Sequence, residues 1–212
     1  YVTVTHALDD IYAADPHLMG TPGALTLYLI DAPKPTIVDT GAADSVERIH
    51  GGLSEVGIAP EAVEHVLVTH VHLDHAGGAG HLADDLPNAS FHVHEKGLPY
   101  VTNSEQLNRL KRSVDRAMGT ENAYGEPKLL SEERCRSVTG GETVDLGLLT
   151  APECPHCGRR FGDLEPNAGF LGTSRLLVED QPALDGEVNE ERPGVAGDGA
   201  GTEDESGVST RD

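Results

Sequence analysis

The strongest constraint on this chain is a ten-residue run, Thr69-His70-Val71-His72-Leu73-Asp74-His75-Ala76-Gly77-Gly78, set directly after Val66-Leu67-Val68. A short apolar, β-branched run bounded in this way predicts a buried strand, and the glycines predict a turn into a helix. Open α/β sheets carry their sites at the carboxyl ends of such strands. Side chains alternate along extended backbone, so His70 and His72 fall on one side. Asp74 and His75 follow as the chain turns and can face the same pocket. Three imidazoles and a carboxylate within six residues, with no thiolate among them, suit zinc, iron or manganese. Isolated histidines such as His6, His17, His50 and His65 read as solvated or core residues. Four donors this close together do not.

A second stretch, Ile37-Val38-Asp39-Thr40-Gly41, lies upstream. Together the two resemble the signatures of the metallo-β-lactamase-fold hydrolases, His-x-His-x-Asp-His after a threonine and Val-Asp-Thr-Gly before the first helix. The resemblance covers about residues 1 to 150 and is nearest to the glyoxalase II-like group of small hydrolases. It implies an αββα sandwich and a one- or two-metal site that activates water. It also implies that Asp39 braces the metal loop by hydrogen bonding and does not bind metal.

At 212 residues the chain is long enough for one domain with a real core. Its formal net charge of -21 argues against nucleic acid or an anionic membrane as partner and leaves a small-molecule substrate. The acidity reaches through the body of the chain, at Asp9, Asp10, Glu61, Glu64, Asp84 and Asp85, and lysine is scarce beside arginine. Such a surface resembles that of proteins from high-salt cytoplasm. Three cysteines, two of them in a Cys-x-x-Cys, give no disulfide framework. With no membrane-length apolar run and no signal peptide, the expected compartment is the cytoplasm.

From the N-terminus, residues 2–5, 11–14, 24–30 and 36–38 read as strands. Val46, Ile49, Leu53 and Val56 share one helical face over 45–56, with Ser45 or Asp44 as N-cap and Gly57 as the stop. A helix over 77–86 is expected to turn its N-terminus toward the site, favouring an anion by up to ~2 kcal/mol. Ser90 to His94 is the next strand. It carries His92 and His94 on one face, and both read as structural. Leu107, Leu110, Val114 and Met118 form the apolar stripe of a helix over 103–118, expected as core packing or a lid. Residues 137–150 read as a hairpin turning at Gly140-Gly141.

Beyond that point the chain departs from the family pattern. The resemblance implies a third histidine after Ala151-Pro152. Cys154 stands there instead, with His156 and Cys157 just beyond, and either Cys154 or His156 is a candidate further ligand. Cys154-Pro155-His156-Cys157-Gly158 also resembles one knuckle of a zinc ribbon, although a full site of that kind needs two pairs. The bridging aspartate implied by the family is replaced by Thr173, and no histidine follows His156. Residues 1–177 are expected to form the metallo-β-lactamase-like domain, degenerate from about 150 and incomplete at its C-terminus. Residues 178–212, rich in Glu, Asp, Gly and Pro, are expected to be a disordered acidic tail.

The expected metal ligands are therefore His70, His72, Asp74 and His75, with Cys154 or His156 in reserve. The expected cofactor is one or two Zn2+, with Fe or Mn as alternatives. Asp74 is the candidate catalytic residue, orienting the water or shuttling a proton. The expected activity is hydrolysis of an ester, thioester or lactone. The rival is an inactive, truncated chain that binds one metal at most.

Overall fold

β4 (Thr36–Val38), β5 (His65–Leu67), β6 (Ser90–His94) and β7 (Cys135–Val138) run parallel, each pair joined through helices, as parallel strands require. In the computed structural model the described residues are 1–140, 142–147 and the backbone of 175–177. The chain divides into two units, Tyr1–Pro182 and Ala183–Asp212, and only the first contains described residues. Antiparallel β1 (Thr3–Leu8), β2 (Ile11–Asp15) and β3 (Leu27–Ile30) complete a seven-stranded mixed sheet in sequence order. Among the described residues no helix is long and apolar enough to cross a membrane.

The apolar runs of the parallel strands follow from burial on both faces. Ile37, Val66, Phe91 and Cys135 lie in register across β4 to β7 and form one face. They pack with Ile49 and Leu53 of α1 (Val46–Val56), Leu82 of α3 (Ala79–Asp85) and Val101 of α4 (Leu98–Thr102). On the opposite face Val38 and Leu67 pack with Ile30 and with Val144 and Leu146, at and just after β8 (Thr143–Asp145). β8 pairs antiparallel with β9 (Arg175–Leu177) as a separate small sheet. The fold is thus the α/β type expected, with helices on one face of the main sheet and β8 on the other. The final helical layer of an αββα sandwich is not among the described residues, nor is the segment expected to be an acidic tail.

Several local expectations need correction. The 137–150 hairpin does not form: β7 joins β6 in parallel, while β8 belongs to the other sheet. The strand expected over 24–30 is confined to Leu27–Ile30. α1 begins at Val46 without a side-chain cap from Ser45, but Gly57 does end it, at φ 89°, donating to the Leu53 and Ser54 carbonyls. The long amphipathic helix is α5 (Ser104–Met118), and Asn103 caps it by accepting from Glu105 N and Gln106 N.

His92 lies beside Leu67 in register and its Nε2 stands 3.1 Å from Nδ1 of His65. Burial is the main cause that pushes His92 down to about 4, followed by the charges of His65 and Arg136. Burial also lowers His65, reinforced by the charge of Lys34 and offset in part by Glu64 and by Asp145. Both rings are therefore neutral in the folded protein at neutral pH. Because the folded pKa of His92 lies below its unfolded value, the stability this adds is complete above about pH 6.5. It is lost as pH falls toward about 4. Allowing for partial solvent exposure, about 2 kcal/mol should disappear across that window. Urea unfolding of wild type and His92→Gln at pH 7 and pH 4.5 measures this. Equal pH dependence in the two proteins would exclude His92 as the cause.

Candidate metal centre

The site grows from the adjoining carboxyl ends of β4 and β5. Immediately after β4, Asp39 takes a left-handed conformation, φ 66°, which Asp tolerates better than most residues. Its N–H donates to the Leu67 carbonyl at 2.8 Å, which fastens it to the end of β5. Its buried carboxylate then accepts from Thr69 N (2.8 Å), from Thr69 Oγ1 (2.8 and 2.9 Å to its two oxygens) and from His75 Nδ1 (2.8 Å). Thr40 completes the clamp, its N–H and Oγ1–H both donating to the His75 carbonyl, at 2.7 and 2.9 Å. The bracing role that the resemblance implied for Asp39 is the hydrogen bonding observed.

Alternation sorts the motif itself. Val71 and Leu73 are buried, so His70 and His72 turn outward, and their rings meet edge to face at 4.8 Å between centroids. α2 (Leu73–Ala76) begins inside the motif and buries Leu73 and Ala76, leaving Asp74 and His75 on its outer side. The His75 ring lies 4.1 Å from that of His70, and His75 Nε2 lies 3.6 Å from Asp74 Oδ2. All four side chains expected as ligands thus gather at one place, with His72 exposed and the others half-buried. Cys154 and His156, the further candidates, lie outside the described residues, as does Thr173.

The helix expected over 77–86 is split into α2 and α3, because Gly77 and Gly78 pass hard against the β4 loop. A Cβ on Gly78 would stand 2.4 Å from the Thr40 carbonyl oxygen, and one on Gly77 would stand 3.1 Å from Ala43 N. α3 therefore starts after the glycines and is seven residues long, too short for the dipole effect expected of a longer helix.

The electrostatics suit metal-binding imidazoles. Burial lowers the His70 pKa, and the neighbouring His75 and His72 lower it further, so its ring is neutral at neutral pH. The hydrogen bond to Asp39 raises His75, outweighing burial. Nδ1 of His75 is held by a carboxylate and Nδ1 of His70 lies 3.1 Å from Thr69 Oγ1, which leaves Nε2 of each facing outward. Carboxylate-held histidines of this kind are the usual outer support of metal-binding rings. In donor chemistry the set fits a borderline divalent ion. In geometry it is open: among the described residues no three His, Cys, Asp or Glu side chains are arranged to hold an ion.

Sequence reading missed Tyr124. It lies on the turn after α5, and its carbonyl accepts from Ala43 N at 3.0 Å. Burial, and after it the charge of Asp74, raises the pKa of its phenol. The only local signal was the Asn122 to Gly125 turn composition, which says nothing of what the turn meets.

A sequence model described as the Metallo-beta-lactamase superfamily matches residues 20–165. The lactamase-like protein nscB of Neosartorya fischeri is 31% identical over 166 residues, which are 72% of this chain and 48% of that protein. The exodeoxyribonuclease WalJ of Streptococcus pneumoniae is 30% identical over 103 residues, 48% of this chain and 37% of that one. A metallo-beta-lactamase from Cronobacter sakazakii, mutated in its HARLDQ motif, aligns with a TM-score of 0.52 at 18% identity, over 68% of this chain and 50% of its own. At that identity the likeness speaks for the fold alone. The chain spans about half the length of the curated relatives it matches.

Proposed function

The chain belongs to the metallo-beta-lactamase superfamily, and from that premise we propose that it is a metal-dependent hydrolase acting on an ester, thioester or lactone carbonyl. Within the family the glyoxalase II-like group is the nearest on its motifs, Val38-Asp39-Thr40-Gly41 and His70-x-His72-x-Asp74-His75. His70, His72, Asp74 and His75 would hold one or two Zn2+, with Cys154 or His156 as a further donor. When bound, such an ion polarises a carbonyl and brings the pKa of its water toward ~7.

The chain's own groups supply the rest. Asp74, half-buried beside His75, is the group to orient water and accept its proton. Neutral His70 offers a lone pair at neutral pH without competition from a proton. Asp39, Thr69 and Thr40 keep the motif in one conformation, so that little ordering remains to be done when substrate arrives. The observation that carries the reading is the buried Asp39 carboxylate, which fixes both ends of the histidine motif at once. Among the relatives, WalJ raises a phosphodiester substrate. The net charge of -21 opposes it, since a polyanion would be repelled on approach.

The test is metal content together with turnover. Protein purified in high salt should carry one or two zinc, iron or manganese ions per chain by elemental analysis. It should hydrolyse members of a panel of esters, thioesters and lactones, and the His70→Ala, His72→Ala double variant should lose both metal and turnover. Turnover unchanged in the double variant would refute the proposal. Metal without turnover in wild type would instead establish the inactive, metal-binding reading.

A further inference from the structure

Thr69 stands between the buried Asp39 carboxylate and the first ring of the histidine motif. Its Oγ1 lies 2.8 and 2.9 Å from the two oxygens of Asp39 and 3.1 Å from Nδ1 of His70. A hydroxyl has one proton to give and lone pairs with which to accept, whereas a carboxylate only accepts. The Thr69 proton therefore goes to Asp39, because any other direction would set three oxygens lone pair to lone pair at these distances. Toward His70 the hydroxyl then acts as acceptor, and Nδ1 of His70 carries the ring hydrogen that it receives.

A neutral imidazole has one N–H, so a hydrogen held on Nδ1 leaves the lone pair on Nε2. Neutral histidine in water prefers the opposite tautomer, with its hydrogen on Nε2. Thr69 is exposed and His70 half-buried, so water competes for Nδ1. The advantage of the hydroxyl is that it is already aimed: Thr69 N also donates to Asp39 Oδ1, at 2.8 Å, and the carboxylate polarises the hydroxyl oxygen as an acceptor. The other rings of the motif supply the contrast. His75 Nδ1 reaches the same carboxylate directly, at 2.8 Å, with no hydroxyl between them. The exposed His72 ring has no such hold among the described residues.

We propose that Thr69 is a positioning residue of the metal centre: its hydroxyl relays the Asp39 carboxylate to His70 and holds that ring with hydrogen on Nδ1, so that Nε2 meets a divalent ion without a change of tautomer. The nitrogen of a histidine that takes a metal is set by the hydrogen bond of the other. The proposal rests on the reading of His70 as a metal ligand and is independent of turnover.

Full-length 15N-labelled protein, stripped of metal, is studied by long-range proton–nitrogen NMR at a pH about two units above the ordinary histidine value, where the spectra separate the two tautomers ring by ring. Zinc affinity of the same chains is measured by competition with a chelator. In wild type, His70 and His75 should carry hydrogen on Nδ1 and His72 mainly on Nε2. Thr69→Val keeps the shape and the backbone N–H to Asp39; it should move the His70 hydrogen to Nε2, leave His75 as it was and weaken zinc binding about tenfold. Thr69→Ser should keep both the His70 tautomer and the affinity of wild type. Hydrogen on Nε2 of His70 in wild type would overturn the proposal, as would hydrogen kept on Nδ1 in Thr69→Val or zinc affinity unchanged in that variant. A change at His75 as well would mark a general disturbance of the motif and overturn it too. If wild type binds no zinc, the metal reading fails and the spectra alone decide: a reversal at His70 confined to Thr69→Val upholds the relay, and any other pattern overturns it.

Discussion

Asp39→Ala should cost about 3 kcal/mol of folding stability and weaken metal binding ten- to a hundredfold. The carboxylate is buried and accepts from three donors, Thr69 N, Thr69 Oγ1 and His75 Nδ1. Removing it leaves Thr69 N–H and the His75 ring proton without their acceptor at a part-buried site, and such groups cost up to about 1–3 kcal/mol each when unpaired. The His75 ring also loses what sets its orientation. Alanine at φ 66° adds roughly 1–2 kcal/mol of strain of its own, so Asp39→Asn is the necessary companion. Asparagine tolerates that backbone and keeps the shape, but its amide presents a donor to a donor on one side. It should retain part of the stability and little of the metal affinity. Urea unfolding and zinc competition with a chelator measure the two effects separately. Metal affinity unchanged in both variants would mean that Asp39 supports the fold and not the centre.

The candidate centre was more legible in the sequence than its surroundings, for a physical reason. His70, His72, Asp74 and His75 are neighbours in the chain: two-residue alternation with Val71 and Leu73 in the core turns His70 and His72 outward, and the start of α2 turns Asp74 and His75 to the same place. The α5 helix was equally legible, since Asn103 and the 3.6-residue apolar stripe are local signals. β7 was not. Gly140-Gly141 is a good turn signal, but the partner of Cys135 is Phe91, reached across two helices, and no turn composition encodes that choice. The split between α2 and α3 was hidden for the same reason, because helical periodicity cannot see the Thr40 carbonyl against which Gly78 is packed. The Tyr124 carbonyl meets Ala43 N, some eighty residues earlier in the chain, a pairing no local pattern encodes. Cys154 and His156, on which completion of the ligand set was expected to turn, lie outside the described residues.

The paired glycines of the motif lead to the second large effect, Gly78→Ala. Gly78 has φ -81° and ψ -10°, a conformation alanine adopts freely, so backbone freedom is not what the site requires there. It requires space. A Cβ would stand 2.4 Å from the Thr40 carbonyl oxygen and 3.3 Å from both the Ala42 carbonyl and Val46 Cγ2. A carbonyl on the main chain cannot swing aside as a side chain can, so the Thr40 loop must move as a unit. Thr40 carries both hydrogen bonds to the His75 carbonyl, and Asp39 is its neighbour, so that movement loosens the histidine clamp. A loss of about 3 kcal/mol is expected, with a fall in metal content alongside it. Gly57→Ala is the control, since Gly57 has nothing within 4 Å of a new Cβ and only its φ of 89° to object. It should cost about 1–2 kcal/mol and leave metal binding as it was. If the two variants lost stability equally and both kept their metal, close packing of Gly78 against Thr40 would not be what holds the centre in place.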